Sequence, residues 1–123
     1  MIKVLLIEDN FVVYKAHSFF LSEVGCEVEW AKNGNQAIEK SKNLYDIIFS
    51  DIGLPDINGI EVITHIRSNE NVNKNTPIFV ITAFSDEETK TKCLKIGVNG
   101  FYVKPFLPDD FKKVIQTRGK PFK

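Results

Sequence analysis

DIIFSDIG, residues 46–53, joins a continuously apolar run to an acidic residue and a glycine. The apolar part has the pattern of a strand buried on both faces, and Asp51 follows it, at the exposed carboxyl end. A second apolar run, at residues 4–7, is followed in the same way by Glu8 and Asp9. Two apolar runs that each lead into acidic residues indicate a buried sheet whose carboxyl edge carries polar side chains.

Apolar and amphipathic segments alternate along the chain. Five short apolar segments predict strands, at residues 3–7, 27–31, 46–50, 77–82 and 100–103. The segments between them have helical spacing, at residues 11–24, 34–42, 59–69, 86–96 and 109–118. Strands this apolar need helices on both faces of a parallel sheet, and right-handed crossovers leave few other arrangements. We therefore predict an α/β fold, a doubly wound (βα)5 sandwich around a five-stranded parallel sheet.

Local signals mark the ends of two of these helices. Ser85 and Glu88 form a capping-box pattern, in which Ser85 caps the fourth helix and Glu88 reaches back to its amide. Gly97 is placed to end that helix. Asn58 and Gly59 open the third helix.

The composition describes one globular domain without a charge excess. Of the 123 residues, 43% are hydrophobic, and 16 Lys and Arg residues balance 16 Asp and Glu residues. Direct nucleic-acid binding or a membrane-surface patch would need a basic excess, so neither is expected. We expect residues 1–118 to form the domain and residues 119–123 to be a C-terminal tail or linker stub.

The two cysteines favour a cytoplasmic protein. Cys26 and Cys93 have no second Cys or His at the spacing of a metal site, and we interpret both as reduced packing residues. No apolar run is long enough to insert into and span a bilayer. Because residues 1–3 lead directly into a strand, we expect no signal peptide.

The predicted fold brings four strand ends to one edge. In doubly wound sheets the functional site lies beyond the carboxyl ends of the strands. Five side chains fall there: Glu8, Asp9, Asp51, Thr82 and Lys104.

Three carboxylates in one place repel one another, and they either share protons or bind a cation. Oxygen ligands with room for water suit Mg²⁺, with Mn²⁺ as a substitute. A carboxylate beside such a cation can attack a phosphoryl group, whose oxygens a lysine and a hydroxyl can contact.

Five motifs, at matching spacing along essentially the whole chain, resemble those of one family. They are Leu-Ile-Glu-Asp-Asn (6–10), Asp51, Leu-Pro-Asp-Ile-Asn-Gly (54–59), Thr82-Ala83 and Lys104-Pro105-Phe106. Taken together they resemble the receiver domain of two-component response regulators, either as a stand-alone regulator or as part of a hybrid histidine kinase. The resemblance implies a flavodoxin-like strand order of 2-1-3-4-5 and a signalling domain rather than an enzyme. It also implies that Asp51 accepts a phosphoryl group from a histidine kinase or a histidine phosphotransfer protein.

The resemblance further implies roles for the other site residues. The Mg²⁺ ligands would be Asp9, Asp51, the backbone carbonyl of Gly53 and, through water, Glu8. Thr82, Ala83 and Lys104 would lie against the phosphoryl group, and a cis peptide bond before Pro105 would direct the lysine into the site. Thr82 and Phe101 would form a switch that remodels the face of the fourth helix, fifth strand and fifth helix. Two copies of the chain could dimerise through that face.

Each residue type also has a purely structural interpretation. An acid after a strand often caps a helix or charges its N-terminus, and a threonine often simply favours a strand. A lysine is usually a solvated surface residue. The combination favours the phosphoacceptor, but for Phe101 a moving ring and an ordinary core residue are equally acceptable.

Two other functions remain open. A phosphohydrolase with an aspartyl nucleophile usually carries a second Asp two residues later, where this chain has Gly53. A phosphate-independent binding module would keep the fold without using the acids. Gly53 and Phe84, which lies two residues after Thr82, could change the lifetime of a phosphoryl group in opposite directions.

Overall fold

Strands and helices alternate strictly along the chain. The computed structural model describes residues 1–83 and 86–117, so the predictions for Phe84 and for the tail at residues 119–123 lie outside the described residues. The elements are β1 (Ile2–Ile7), α1 (Phe11–Glu23), β2 (Cys26–Ala31), α2 (Gly34–Lys40), β3 (Ile47–Ser50), α3 (Gly59–Ile66), β4 (Ile78–Thr82), α4 (Glu87–Ile96), β5 (Gly100–Val103) and α5 (Pro108–Thr117).

All five strands form one parallel sheet in the order β2-β1-β3-β4-β5. This arrangement confirms the predicted doubly wound fold and its strand order. β1 and β3 are central, and their last paired residues, Ile7 and Ser50, lie side by side. The residues that follow these two strands are therefore neighbours at the carboxyl edge of the sheet.

The two faces of the sheet bury separate hydrophobic clusters. Helices α1 and α5 cover one face, where Leu21, Phe49 and Phe111 are fully buried. Helices α2, α3 and α4 cover the other face, over Leu5, Ile48 and residues such as Ile63 and Cys93. Cys26 and Cys93 are both buried, as predicted, and neither forms a disulfide bond. Because both faces are covered, the open edge at the carboxyl ends of the strands is where polar chemistry can reach solvent.

Side chains of asparagine and aspartate cap the starts of α1 to α4, and one cap differs from the prediction. Asp86, not Ser85, is the N-cap of α4, because its carboxylate accepts hydrogen bonds from the backbone N–H and the hydroxyl of Thr89. The predicted capping box is therefore wrong, and Ser85 itself lies outside the described residues. The other two helix-end predictions are confirmed: Asn58 caps α3, and Gly97 ends α4 with a φ of 104°.

Gly59 allows α3 to start directly against the end of β3. A Cβ atom built on Gly59 would lie 2.5 Å from the Ile52 Cα atom and 2.8 Å from the backbone oxygen of Asp51. The Gly59 N–H donates to the Ile52 carbonyl at 3.0 Å. The bare glycine therefore fixes the path of the loop that carries Asp51.

A network of hydrogen bonds stabilises the sheet at the amino ends of β3 and β4, opposite the carboxyl edge. Asn73 is fully buried, and its side chain donates to the carbonyls of Ser41 and Asn43 and accepts from the backbone N–H of Tyr45. Arg67 donates to the carbonyls of Gly97, Asn73 and Lys74. These contacts fix the α3–β4 loop against α2 and α4.

Within residues 1–83 and 86–117, no helix has the length and apolarity needed to cross a membrane.

Candidate functional site

Three carboxylates meet at the carboxyl ends of β1 and β3. Oxygen atoms of Glu8, Asp9 and Asp51 all lie within 4.8 Å of one another. Glu8 and Asp51 are buried, with 2% and 7% of their surfaces exposed, while Asp9 is exposed. We call these three side chains the acidic pocket. The structure thus brings together the acids that the sequence placed at two separate strand ends.

Backbone groups fix Asp51 in the acidic pocket. Its own N–H donates to the Ile7 carbonyl at 3.0 Å, which continues the β1–β3 pairing by one residue. Its Oδ1 atom accepts from the N–H groups of Ile52 at 2.6 Å and Gly53 at 3.1 Å. The carboxylate therefore has a defined orientation, and Gly53 lies directly beside it with its backbone exposed to solvent.

Lys104 connects the two buried acids. Its ammonium nitrogen lies 2.8 Å from Oδ2 of Asp51 and 2.8 Å from Oε1 of Glu8. The Lys104 N–H donates to the Thr82 carbonyl at 2.8 Å, so β4 positions the lysine backbone. The peptide bond between Lys104 and Pro105 is cis, as expected. The lysine predicted to be a site residue is thus directed into the acidic pocket.

Burial and charge act in opposite directions on these groups. Burial, together with the charge of Asp51, raises the pKa of Glu8 by more than Lys104 and the Asn10 N–H lower it, so the net shift is upward. Burial also raises the pKa of Asp51, but hydrogen bonds from Lys104, Gly53 and Thr82 together outweigh it, and the net shift is downward. Burial lowers the pKa of Lys104, whereas its contacts with the two acids raise it further. Asp51 and Lys104 are therefore both held in their charged forms.

Thr82 lies beside Asp51, and Ala83 follows Thr82 in the chain. Thr82 ends β4, is fully buried, and hydrogen-bonds the Asp51 carboxylate through its side chain. Ala83 is exposed and follows it at the carboxyl edge of the sheet. The Thr82 hydroxyl thus adjoins the Asp51 carboxylate, while contact of Thr82 and Ala83 with a phosphoryl group stays a prediction.

Phe101 and Tyr102 lie on opposite faces of β5. Phe101 packs against the cluster beneath α2, α3 and α4, while Tyr102 packs against the cluster beneath α1 and α5. Both side chains are half-buried. Phe101 therefore contacts the core in this structure, and its proposed movement stays a prediction.

The acidic pocket fits a hard divalent cation. Its donors are three carboxylates, of which Lys104 can balance only one negative charge. The exposed Asp9 carboxylate makes no hydrogen bond or ion pair with any residue in the two described ranges, so its oxygens are available. Oxygen donors that are open to solvent on one side suit Mg²⁺, which keeps several of its waters.

Sequence reasoning missed one residue that supports the acidic pocket, and it left open that a histidine of α1 is buried in the core. The indole of Trp30 donates a hydrogen bond of 2.7 Å to the backbone carbonyl of Glu8, and Trp30 stacks on Tyr14. His17 is buried against Phe111, with ring centroids 4.9 Å apart. The indole contact spans 22 residues, so no local motif could have revealed it.

The chain is similar to known signalling proteins. Residues 4–116 match the family model described as the response regulator receiver domain. Hybrid signal transduction histidine kinase B of Dictyostelium discoideum is 37% identical over 119 residues, which cover 88% of this chain and 6% of that kinase. The chain thus spans only a small part of this relative.

Two solved structures have the same architecture. The chemotaxis protein CheY4 of Vibrio cholerae has a TM-score of 0.86 and 34% identity, over 94% of this chain and 97% of CheY4. The receiver domain of the sensor histidine kinase PA1611 from Pseudomonas aeruginosa PAO1 has a TM-score of 0.85 and 30% identity, over 95% of this chain and 96% of that domain. That structure contains a magnesium ion coordinated in its active site cleft. The chain described here therefore belongs to the receiver domain family of two-component signalling systems.

Proposed function

We propose that Asp51 accepts a phosphoryl group from a phosphohistidine donor in a Mg²⁺-dependent reaction. The observation that carries this proposal is the contact of Lys104 with Asp51 at 2.8 Å inside a pocket of three carboxylates. A nucleophile, a fixed cation and a set of metal ligands are the parts that phosphoryl transfer to a carboxylate needs.

The transfer forms one bond and breaks one. A carboxylate oxygen of Asp51 attacks phosphorus, the bond between phosphorus and the imidazole nitrogen breaks, and its electron pair stays on the histidine of the donor. The lowered pKa of Asp51 keeps the carboxylate ionised and able to attack. An ammonium has three donor hydrogens, and the two acids use two of them, so Lys104 can give the third to a phosphoryl oxygen.

The proposed Mg²⁺ ligands are Asp9, Asp51 and the Gly53 carbonyl, with Glu8 acting through water. When bound, the cation would neutralise charge on the transferring oxygens; Mn²⁺ would be a substitute. Support comes from the mutual closeness of the three acids and from the magnesium ion held by the related PA1611 receiver domain.

Thr82, Ala83 and Phe101 are proposed to carry the response. The Thr82 hydroxyl would move from the Asp51 carboxylate to a phosphoryl oxygen, for which the small Ala83 leaves space. The half-buried Phe101 ring would then change its packing against the core. We propose that this remodels the face of α4, β5 and α5, and that this face is available for a partner or a second copy of the chain.

The donor is proposed to dock beside Lys104. An apolar groove of about 480 Å³ lies there between α1 and the β5–α5 loop, lined by residues that include Val12, Ala16, Phe20, Pro105 and Leu107. A helix that presents a phosphohistidine from a histidine kinase or a phosphotransfer protein could pack its apolar side into this groove. Because neither cysteine forms a disulfide bond, we propose the cytoplasm as the compartment.

A labelling experiment tests the proposal. The chain is incubated with acetyl phosphate and Mg²⁺, and the intact mass and borohydride trapping report whether an acyl phosphate forms and on which residue. Asp51→Asn is expected to abolish labelling. Asp46→Asn is the matched control, because Asp46 is exposed and precedes the same strand. Unchanged labelling of Asp51→Asn would refute the assignment.

The same experiment separates the alternatives. A binding module that ignores phosphate would not be labelled, and its affinity for a partner would not depend on acetyl phosphate. A phosphohydrolase would turn over a phosphate ester continuously, whereas we propose that this domain catalyses only its own phosphorylation and dephosphorylation. Gly53 occupies the position at which such hydrolases usually carry a second Asp.

A further inference from the structure

We propose that Trp30 is a positioning residue for the acidic pocket. Its indole N–H holds the backbone carbonyl of Glu8 and thereby fixes where the side chains of Glu8 and Asp9 stand. The inference rests on the proposed function of the acidic pocket as a Mg²⁺ site. The indole bonds to the Glu8 backbone, so its effect on the acidic pocket passes through the β1–α1 loop.

Both backbone polar groups of Glu8 form hydrogen bonds with β2. Its N–H donates to the Ala31 carbonyl at 3.0 Å, and its C=O accepts from Trp30 Nε1 at 2.7 Å. Both partners belong to β2, the edge strand next to β1. The last paired residues of these strands are Ile7 and Ala31. The indole hydrogen bond therefore connects β2 to Glu8, one residue beyond the paired part of β1.

Two rings of α1 hold the indole in place. Tyr14 stacks on Trp30 with centroids 4.0 Å apart and planes 7° apart, and Phe11 is tilted against it at 5.9 Å. Phe11 is the first residue of α1, immediately after the loop that carries the acids. Trp30 thus connects β2, the loop and the helix that follows the loop.

The contact explains why the ring is an indole. Packing against Tyr14 and Phe11 needs only an apolar ring, which phenylalanine also supplies. The bond to the Glu8 carbonyl needs a donor, and among aromatic side chains of this shape only the indole carries an N–H in that place. Because Glu8 and Asp9 are adjacent in the chain, freeing the carbonyl loosens both acids at once. Metal ligands that lose an orienting partner bind the metal more weakly.

The test measures Mg²⁺ affinity by NMR on ¹⁵N-labelled protein, from the amide shifts of residues 8–10 and of Asp51. Trp30→Phe keeps an aromatic ring but removes the donor. We expect its Kd for Mg²⁺ to rise about three- to tenfold, the range expected for losing one hydrogen bond. Val114→Ala is the control for lost stability, because Val114 is buried in α5 away from the acidic pocket. Its Kd should equal that of the wild type.

A second readout comes from the wild type itself. Trp30 is the single tryptophan, so its indole N–H gives one resonance. That proton should exchange slowly with solvent, and Mg²⁺ should shift the resonance with the same midpoint as the Asp9 amide. An indole that exchanges as fast as free tryptophan, or that ignores saturating Mg²⁺, would overturn the inference.

The outcomes separate the two proposals. If the wild type binds no Mg²⁺, the proposed function fails, while slow exchange of the indole still supports the hydrogen bond. If the wild type binds Mg²⁺ and Trp30→Phe binds it equally well, only the role of Trp30 is refuted. Should Trp30→Phe fail to fold, replacement of Trp30 by 3-benzothienylalanine keeps the ring shape without the donor. A Kd equal to that of the wild type would refute the role in that case too.

Discussion

The ammonium nitrogen of Lys104 lies 2.8 Å from Oδ2 of Asp51, although 53 residues separate the two in the chain. The same nitrogen contacts Glu8, so one lysine balances part of the charge of the acidic pocket. A divalent cation bound in the acidic pocket, as proposed, would therefore be repelled by this ammonium. Their different roles can be separated by substitution.

Lys104→Met should have opposite effects on metal binding and on phosphorylation. Removing the ammonium removes a repulsive charge, so the affinity for Mg²⁺ should rise roughly threefold or more. The rate of labelling by acetyl phosphate should fall by about a hundredfold, because a donor to the transferring group is lost. Mg²⁺ titration by NMR and the time course of the intact mass measure the two effects.

Lys42→Met is the control for this substitution. Lys42 is exposed and pairs with Glu39 at 3.0 Å, just beyond the C-terminus of α2. Neither affinity nor rate should change in this variant. Weaker Mg²⁺ binding by Lys104→Met would show that the lysine supports the metal ligands instead of competing with the ion.

The two acids of the β1–α1 loop should differ in their effect on Mg²⁺ binding. Asp9→Asn should weaken binding at least about tenfold, because it removes a direct charged ligand. Glu8→Gln should weaken it less, since Glu8 is proposed to act through water and the introduced amide oxygen can still accept from Lys104. Calorimetric titration gives both constants, with Asp46→Asn as the control. A larger loss for Glu8→Gln than for Asp9→Asn would reverse the proposed assignment of the two ligands.

His17 should make the folded chain sensitive to acid. Burial, with a smaller contribution from the charge of Lys104, lowers the pKa of His17 to about 4, below its usual value of 6.5. As pH falls, the unfolded chain therefore binds a proton at His17 before the folded chain does. The free energy of unfolding decreases as pH falls from about 6.5 toward 4. Above pH 6.5 the group contributes no pH dependence.

His17→Phe should reduce this loss by about 2 kcal/mol between pH 7.5 and pH 4.5. Phenylalanine suits the site because Phe111 and Phe20 surround it. Urea unfolding at the two pH values measures the difference. His65→Phe, at an exposed position on α3, is the matched control for replacing an imidazole by a phenyl ring. An identical acid sensitivity of His17→Phe and the wild type would contradict the prediction.

Gly59→Ala should both destabilise the fold and slow phosphorylation. The added methyl would lie 2.5 Å from the Ile52 Cα atom and 2.8 Å from the backbone oxygen of Asp51, and neither backbone atom can move independently. We expect a loss of about 2–3 kcal/mol, as for an overpacked core, and a lower labelling rate because Asp51 is displaced.

Gly25→Ala provides the comparison. Gly25 has a φ of 84°, so alanine there costs about 1 kcal/mol through the backbone alone. Apart from its chain neighbours, no atom of the described residues would lie within 4 Å of its methyl, and the labelling rate should stay normal. Chemical denaturation and intact mass measure both variants. If Gly59→Ala were as stable and as rapidly labelled as Gly25→Ala, the close approach of α3 to Asp51 would not matter for stability or phosphorylation.

The fold and the acidic pocket were predictable because both depend on short-range patterns. Continuous apolar runs identified the buried strands, and parallel strands necessarily bring their carboxyl ends to one edge. Asp51, Thr82 and Lys104 follow such runs directly, so their meeting needed no knowledge of side-chain packing. Strand and helix ends agreed to within one to three residues.

The features that sequence patterns missed depend on contacts between distant segments. Ser85 and Asp86 are both good caps, and the direction of the backbone decides which of them bonds to Thr89. In the sequence Trp30 is one more large residue of a strand, and only the folded structure shows its hydrogen bond to the Glu8 carbonyl. Asn73 belonged to a stretch of polar residues that reads as a surface loop, yet its amide is buried against Ser41, Asn43 and Tyr45.

The direction of β1 has a practical consequence for measuring this chain. β1 starts at Ile2 and ends beside Glu8, so its six residues separate Met1 from the acidic pocket by about 20 Å. A biotin or a dye attached at Met1 would point away from the carboxyl edge of the sheet. A sensor surface carrying the chain by its amino terminus would leave that edge free for a large donor protein, and binding rates measured there would not be limited by the attachment.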